Sequence, residues 1–259
     1  MSNLISLTID GRKVELLLPD GDVTSNPVLL AHDGQNCFDG RLAISGTGWF
    51  MQDAVPRIAA ELGVPTPIVI APWNRGEERG SEYAPEDVLR EQPLMLSGFR
   101  ARYADGELSG NRYVTWCVDR LLGTLRDEYG VQLARERTAV IGSSMGGLAS
   151  LYALAQRPDI YGTALCVSTH WTPGGPGFPA ALVRRLPKPG SHALWFDHGD
   201  RGLDADYAPY QAEADRVLHE LGWSGFVESR TYVASDHHES AWAARLPEIL
   251  RFWLTRVFA

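Results

Sequence analysis

The sequence predicts an α/β protein with a mostly parallel central sheet, antiparallel strands at the N-terminal end, and helices on both faces. Three observations support this prediction. Short continuous apolar runs, typical of strands buried on both faces, recur along the chain. Segments with apolar residues at helical spacing lie between them. A hairpin signal precedes the first buried run. Such alternation implies right-handed crossovers between parallel strands.

Length and composition favour one globular unit that acts on a small molecule. The chain has 259 residues, of which 44% are hydrophobic and 22% charged, so residues 1–259 are expected to form a single domain. The net charge of −8 and the absence of basic runs argue against a nucleic-acid partner. Oligomeric state is not readable from the sequence.

The N-terminus and the cysteines bear on the expected location. Residues 1–21 lack the basic start and long apolar run of a secretory signal, and no stretch has the length of a membrane span. Cys37, Cys117 and Cys166 are odd in number and widely spaced, which favours reduced thiols. We therefore expect a cytoplasmic protein without a membrane association.

The first third of the chain contains a hairpin and a strand–helix–strand unit. Strand-like runs at 4–9 and 13–18 are joined by Asp10-Gly11, a strong hairpin signal. Buried strands are predicted at 27–31 and 67–71. The helix between them is indicated by apolar residues at i, i+3, i+4 and i+7, namely Val55, Ile58, Ala59 and Leu62.

Residues 72–110 are polar and interrupted, and we expect an irregular segment. A loop of this length in a compact domain is uncommon unless it is functional, so the segment is either part of a cleft wall or a mobile surface excursion. Proline and glycine recur through residues 172–179, which predicts a second irregular segment that packs over the cleft.

The remaining elements alternate between helix and strand. Helical stripes are predicted within 114–125, after residue 144, within 210–221 and within 246–253, and strands at 138–141, 163–167, 192–197 and 226–233. No internal repeat or linker marks a second domain.

Gly142-Ser143-Ser144-Met145-Gly146 is the candidate centre of function. A strand precedes this Gly-x-Ser-x-Gly sequence and a helical pattern follows it, which is the context of a nucleophile elbow. The glycines permit a strained turn in which a Cβ would collide with a neighbouring element. Ser144 is the candidate nucleophile, although a glycine-rich turn of this kind can also be a plain loop.

A serine hydroxyl needs a base, and the base needs a group that orients it. His237 follows the last predicted strand and is the candidate base. Its neighbour His238 could in principle take the same role, and one of the two is expected to be a capping or solvated residue rather than a second base. The pair followed by Glu239 is a weak metal motif because no further ligand stands at a matching spacing, so we expect no metal or cofactor.

The orienting acid is expected in the loop after the strand that ends near residue 197. Asp197, Asp200 and Asp204 compete for the role. Asp197 lies at the strand end and can be structural, whereas Asp200 and Asp204 lie on the loop, from which a histidine is easier to reach. Asp204 is preferred and Asp200 is the nearest alternative.

The oxyanion hole is expected from two backbone N–H groups. One belongs to Met145, directly after the nucleophile, and the other to Gln35, in the loop after an early strand. Cys37 is a conceivable rival nucleophile, but no base stands at a readable spacing from it, so buried packing is the better interpretation.

Four segments together resemble the putative esterase family of the α/β-hydrolase superfamily, which includes esterase D, enterochelin esterases, feruloyl esterases and mycolyltransferases. They are His32-Asp33-Gly34-Gln35-Asn36-Cys37-Phe38-Asp39, Gly142-Ser143-Ser144-Met145-Gly146-Gly147-Leu148, Phe196-Asp197-His198-Gly199 and His237-His238-Glu239-Ser240-Ala241-Trp242. The resemblance covers nearly the whole chain. It implies an α/β-hydrolase fold and a Ser-Asp-His hydrolase, with Ser144 and His237 carried over directly. His238 stands where relatives often have asparagine.

The expected function is hydrolysis of small-molecule carboxylic esters through an acyl-enzyme. An acyltransferase with the same triad, a non-catalytic binding module on the same fold, and a peptidase are the alternatives. Tyr83, Trp171 and Phe178 are candidates for an apolar acyl or aromatic pocket, and each is equally compatible with ordinary core packing.

Overall fold

The computed structural model describes residues 2–43, 45–104 and 106–259 of the chain. Within these residues, eight strands form one sheet. In chain order they are β1 (Ser2–Ile9), β2 (Arg12–Pro19), β3 (Val28–Ala31), β4 (Ile68–Pro72), β5 (Thr138–Ser143), β6 (Thr163–Val167), β7 (Ala193–Gly199) and β8 (Val227–Tyr232). Every predicted strand is present, with ends shifted by a residue or two.

The predicted sheet topology is confirmed. The strand order is β1-β2-β4-β3-β5-β6-β7-β8. All neighbouring pairs from β4 to β8 are parallel, whereas β2 is antiparallel to both β1 and β4. The carboxyl ends of the parallel strands therefore meet at one edge, where sheets of this kind bind ligands.

The hairpin and the buried strands form for the local reasons that their patterns indicated. Asp10 and Gly11 have φ angles of 49° and 75°, and positive φ at both central residues is the requirement of a type I′ turn. In β3, Val28 and Leu30 contribute to one core cluster while Leu29 and Ala31 contribute to the other. Both faces of the strand are covered, which explains its unbroken apolar run.

Helices cover both faces of the sheet. In chain order they are α1 (Gly34–Cys37), α2 (Met51–Leu62), α3 (Arg79–Glu82), α4 (Glu86–Arg90), α5 (Pro93–Tyr103), α6 (Gly110–Trp116), α7 (Gly123–Tyr129), α8 (Met145–Gln156), α9 (Phe178–Val183), α10 (Ala208–Glu220) and α11 (Glu239–Val257). A π-helical stretch, Cys117–Leu122, joins α6 to α7. Side chains of α2 and α11 pack in one core cluster, and those of α6 to α10 pack in the other.

The expectation of an irregular segment at 72–110 is wrong in part. The segment contains α3, α4, α5 and a 3-10 turn at Gly76–Glu78. Helices α3 and α4 are too short for a periodic pattern, and α5 buries Phe99 rather than a whole apolar stripe. The segment packs into the core through Tyr83, Leu89 and Phe99. Its helices therefore depend on tertiary contacts that the sequence pattern does not display.

The second predicted irregular segment, 172–179, contains little regular structure: a 3-10 turn at Thr172–Gly174 and the start of α9 at Phe178.

In the part of the chain that the structure describes, no helix combines the length and the apolar character needed to cross a membrane.

Candidate active site

Ser144 lies in a strained turn between β5 and α8. Its φ and ψ are 57° and −122°, a region that residues other than glycine rarely adopt. The end of β6 and the loop after it hold this backbone: Ser144 N–H donates to Val167 O at 2.9 Å, and His170 N–H donates to Ser144 O at 3.1 Å. A Cβ at Gly142 would lie 2.5 Å from Gly146 O. The turn therefore has the backbone of a nucleophile elbow and requires glycine at position 142.

His237 and Asp204 are brought together by two different loops at the same edge of the sheet. Asp204 lies in a 3-10 turn after β7, and His237 lies between β8 and α11. His237 Nδ1 and Asp204 Oδ1 are 2.5 Å apart. The ring of His237 meets Trp242 and Tyr207 edge-on, with centroid distances of 4.9 and 5.7 Å. The imidazole is thus held by one carboxylate and two aromatic rings.

The Asp204 side chain is fully buried, yet it has donors for both oxygens. Its Oδ2 accepts from Gly199 N–H at 2.6 Å and from Ser168 Oγ at 2.7 Å. Burial by itself raises the pKa of the Asp204 carboxyl, but hydrogen bonds from His237, Gly199 and Ser168 outweigh it and hold that pKa below its ordinary value. The carboxylate is therefore ionised where it meets the imidazole.

The two competing carboxylates make other contacts. Asp197 is buried and accepts from Arg245 and from Trp195 Nε1, each at 2.7 Å. Asp200 is exposed and accepts from Ser235 N–H at 3.3 Å. Of the three aspartates, Asp204 is the one at hydrogen-bond distance from His237. His238 caps α11, because its Nδ1 accepts from the N–H of Ser240 at 3.2 Å.

Gln35 and Met145 both lie in the first turn of a helix, α1 and α8 respectively. First-turn N–H groups have no acceptor within their own helix, so both are available in principle to an oxyanion. The backbone before Gln35 approaches β4 closely, since a Cβ on Gly34 would lie 2.1 Å from Ala71 O. Gln35 Oε1 accepts from Asn74 N–H at 3.2 Å.

An ion pair between a buried carboxylate and a partly exposed arginine lies beside this loop. Asp33 has a left-handed backbone with φ of 58°, and its carboxylate accepts from Arg79 Nε and Nη2 at 2.7 Å each and from Asn74 Nδ2 at 2.6 Å. Burial alone would raise the pKa of Asp33, but Arg79 and Asn74 outweigh it and keep that pKa below its usual value. Sequence analysis identified neither Arg79 nor Asn74 as part of a site, because both lie in the polar segment after β4.

Ser144 and His237 line one cavity of about 460 Å³ at the carboxyl edge of the sheet. Most of its lining side chains are polar or charged. The lining residues are Asp33, Asn36, Ser45, Asn74, Gly76, Arg79, Ser143, Ser144, His237, Glu239 and Trp242. Part of the 72–110 segment therefore forms a wall of this cavity.

The predicted apolar pocket residues lie elsewhere. Tyr83, Trp171 and Phe178 are fully buried core residues, and none belongs to the cavity lining. The Tyr83 hydroxyl accepts from Asp33 N–H at 3.1 Å, and Trp171 Nε1 donates to Gln211. Their side chains pack in the core, so the structure supports the interpretation of these three residues as core residues.

Two further titratable groups near the site are held neutral. His170 bonds to the Tyr103 hydroxyl at 2.7 Å through Nε2 and to Tyr207 through Nδ1. Burial, and then the nearby charge of His237, lowers the pKa of His170 to about 3. Burial raises the pKa of the Cys37 thiol well above its ordinary value. A thiol in that state is a poor nucleophile, in agreement with the packing interpretation of Cys37.

No group of three or more His, Cys, Asp or Glu side chains suited to a metal ion occurs among residues 2–43, 45–104 and 106–259. The arrangement can support nucleophilic attack by a hydroxyl, with an imidazole as base and a carboxylate behind it.

The sheet order, together with a strained serine between β5 and α8, defines the α/β-hydrolase class of folds. The model of the family described as putative esterase matches residues 8–253, and the chain belongs to that family.

Individual relatives are distant. The uncharacterized protein YbbA of Bacillus subtilis (strain 168) is 22% identical over 164 residues, which is 62% of this chain and 58% of YbbA. The match thus spans less than two thirds of that relative. A ferulic acid esterase structure has a TM-score of 0.65 at 18% identity and covers 100% of this chain and 99% of its own. An IroE-like serine hydrolase from Shewanella oneidensis has a TM-score of 0.72 at 16% identity, with coverages of 97% and 80%.

We expect Arg79→Met to destabilise the fold by about 3 kcal/mol, because it leaves the buried Asp33 carboxylate without its cation. Urea unfolding measures this loss. Arg57→Met, which breaks the exposed pair with Glu61, is the control and should cost less than about 1 kcal/mol. Equal urea midpoints for the two variants would contradict the assignment.

The pH dependence of this contribution has a definite sign. Because the folded-state pKa of Asp33 is lowered, the stabilisation is present above the unfolded-state pKa of about 3.9 and is lost as pH falls through the lower folded-state value. The difference in stability between the parent protein and Arg79→Met should therefore shrink in acid.

Proposed function

We propose that the chain is a serine carboxylesterase that hydrolyses small-molecule carboxylic esters through an acyl-enzyme. The observation that carries the proposal is the 2.5 Å contact between His237 and a buried, ionised Asp204, at a cavity that also exposes Ser144 in an elbow backbone. In this proposal residues 1–259 act as one hydrolase domain in the cytoplasm, without a cofactor.

Acylation begins when the Ser144 hydroxyl attacks the ester carbonyl carbon. His237 Nε2 accepts the hydroxyl proton as the C–O bond forms, and the same proton then goes to the departing alkoxide, which leaves as the alcohol. Asp204 binds the Nδ1–H on the other side of the ring. It holds the imidazole in the tautomer with a free Nε2 and stabilises the imidazolium that forms in between.

The tetrahedral oxyanion is stabilised by the backbone N–H groups of Gln35 and Met145. Met145 begins the twelve-residue helix α8, whose partial positive charge at the N-terminus adds to its hydrogen bond. Deacylation repeats the sequence with water as the attacking group. His237 takes a proton from water, and the carboxylic acid leaves as Ser144 recovers its proton.

We expect Ser144→Ala to abolish ester hydrolysis, since it removes the nucleophile while leaving the fold intact. Turnover of p-nitrophenyl acetate and labelling by a fluorophosphonate probe measure the effect. Ser143→Ala is the neighbouring control and should lose far less activity. Turnover by Ser144→Ala at the parent rate would rule out this residue as the nucleophile.

For the acid, we expect Asp204→Asn to lower kcat by up to about 10⁴-fold, because an amide in this position can hold His237 in the wrong tautomer. Asp200→Asn should have a small effect, since Asp200 is exposed and contacts Ser235 N–H rather than His237. Steady-state kinetics measures kcat of both variants. A larger loss of kcat in Asp200→Asn than in Asp204→Asn would reassign the acid to Asp200.

The lining of the cavity predicts a preference for short or polar acyl groups. A long alkyl chain would contact charged and amide side chains such as Arg79, Asn74 and Glu239, so its extra methylenes would gain little from burial. We expect kcat/KM to fall from p-nitrophenyl acetate or butyrate toward the laurate ester. A steady rise of kcat/KM with chain length would show that the acyl group binds elsewhere.

A further inference from the structure

One buried hydroxyl outside the proposed triad connects several of its parts. Ser168 follows β6 and is fully buried. Its Oγ donates to Asp204 Oδ2 at 2.7 Å and accepts from Trp242 Nε1 at 3.0 Å and from Arg245 Nη1 at 3.2 Å. A serine hydroxyl has one donor and two acceptor positions, and all three are used here.

The Ser168 backbone is held in an unusual conformation. Its φ is 42°, a left-handed value that residues other than glycine adopt infrequently. Its N–H donates to Asp197 Oδ1 at 3.2 Å, and Asp197 is itself paired with Arg245. Strained residues persist where surrounding contacts over-determine them, and such residues cluster at functional sites.

The same short segment supports the nucleophile. Val167 O accepts from Ser144 N–H, and His170 N–H donates to Ser144 O. Residues 167–170 therefore contact the backbone of Ser144 and, through the Ser168 hydroxyl, the carboxylate of Asp204. The relative position of nucleophile and acid is set by four consecutive residues.

The contacts of Asp204 divide between its two oxygens. Oδ2 is held by Ser168 Oγ and by Gly199 N–H, which leaves Oδ1 for His237 Nδ1. Two donors on one oxygen define the rotation of the carboxylate plane. Trp242, which donates to the same Ser168 hydroxyl, meets the His237 ring edge-on at 4.9 Å. The hydroxyl thus contacts two of the three side chains that hold the imidazole, Asp204 and Trp242.

We propose that Ser168 is a positioning residue of the esterase reaction. Its hydroxyl fixes the rotation of the Asp204 carboxylate and the position of the Trp242 ring, so that His237 faces Ser144. This inference rests on the proposed function, because it acts through the Asp204–His237 pair. Sequence analysis missed Ser168, which carries no motif of its own and lies next to a strand that looks purely structural.

The first test compares two variants that lack the hydroxyl, Ser168→Ala and Ser168→Gly. Each should lower kcat on p-nitrophenyl acetate by about 10- to 100-fold, the range expected for loss of a hydrogen bond to a charged group, with little change in KM. Glycine adopts a φ of 42° without strain, so Ser168→Gly provides the test if Ser168→Ala lowers the stability of the fold. The loss of kcat should be the same in both, whatever their melting temperatures.

The matched control removes a different buried hydroxyl. Thr138 lies at the start of β5, at the opposite end of the strand from Ser144, and its Oγ1 donates to Ala134 O at 2.9 Å. Thr138→Val should change stability without changing kcat.

The decisive measurement is a double-mutant cycle with Asp204→Asn. If Ser168 acts through Asp204, then Ser168→Ala should cost little further kcat in the Asp204→Asn background, because the two losses are not additive. A second readout is the acid limb of kcat/KM against pH. This limb should move to higher pH in Ser168→Ala, since a carboxylate that has lost a hydrogen-bond donor attracts the protonated imidazole more strongly.

The outcomes of these experiments distinguish failure of the positioning role from failure of the proposed function. Full additivity in the cycle, or activity that follows melting temperature across the Ser168 variants, would overturn the positioning role while leaving the proposed esterase intact. A parent protein with neither ester turnover nor fluorophosphonate labelling would instead refute the proposed function itself. Non-additive losses with a shifted acid limb support the inference.

Discussion

The backbone conformation of Ser144 is the constraint on which the site depends. A serine at φ of 57° is unfavourable by itself. It persists because Val167 at the end of β6 binds its N–H and His170, three residues further on, binds its carbonyl. Glycine at 142 allows α8 to leave the sheet at once, so the side chain of Ser144 emerges at the carboxyl edge beside the first turn of a helix. Loops after three other parallel strands, β3, β7 and β8, reach the same edge, and each carries one of the other residues proposed for the site, namely Gln35, Asp204 and His237.

Three buried aspartates near this edge show how the protein distributes charge. Asp33 is paired with Arg79 and Asp197 with Arg245, both permanent cations. Asp204 instead has the His237 imidazole, which is not a permanent cation, at 2.5 Å from its Oδ1. Arg245 Nη2 lies farther away, 4.0 Å from Asp204 Oδ2. The shortest charged contacts of Asp33 and Asp197 are therefore with arginine, whereas that of Asp204 is with a histidine, which suits Asp204 to the role proposed for it.

The polar segment after β4 illustrates a limit of pattern analysis. Its helices lack apolar stripes, yet the segment contributes Arg79 and Asn74 to the loop that carries Gln35. Those contacts join residues about forty positions apart. No local sequence pattern predicts these contacts, because they form only when β3 and β4 are neighbours in the sheet. The Ser168 hydroxyl is a similar case, since its partners come from the loop after β7 and from α11.

The sequence by itself determined the sheet, the hairpin and the candidate nucleophile, because each depends on neighbours within a few residues: continuous apolar runs in the buried strands, positive φ at Asp10-Gly11, and glycines around Ser144. It also pointed to His237 by chain order. Only the tertiary structure decided which of three aspartates meets that histidine, that Tyr83, Trp171 and Phe178 belong to the core, and that Arg79 and Ser168 hold the surroundings of the site. The physical reason is that a hydrogen bond or ion pair requires its partners within about 3 Å, a condition set by the packing of distant segments rather than by their order along the chain.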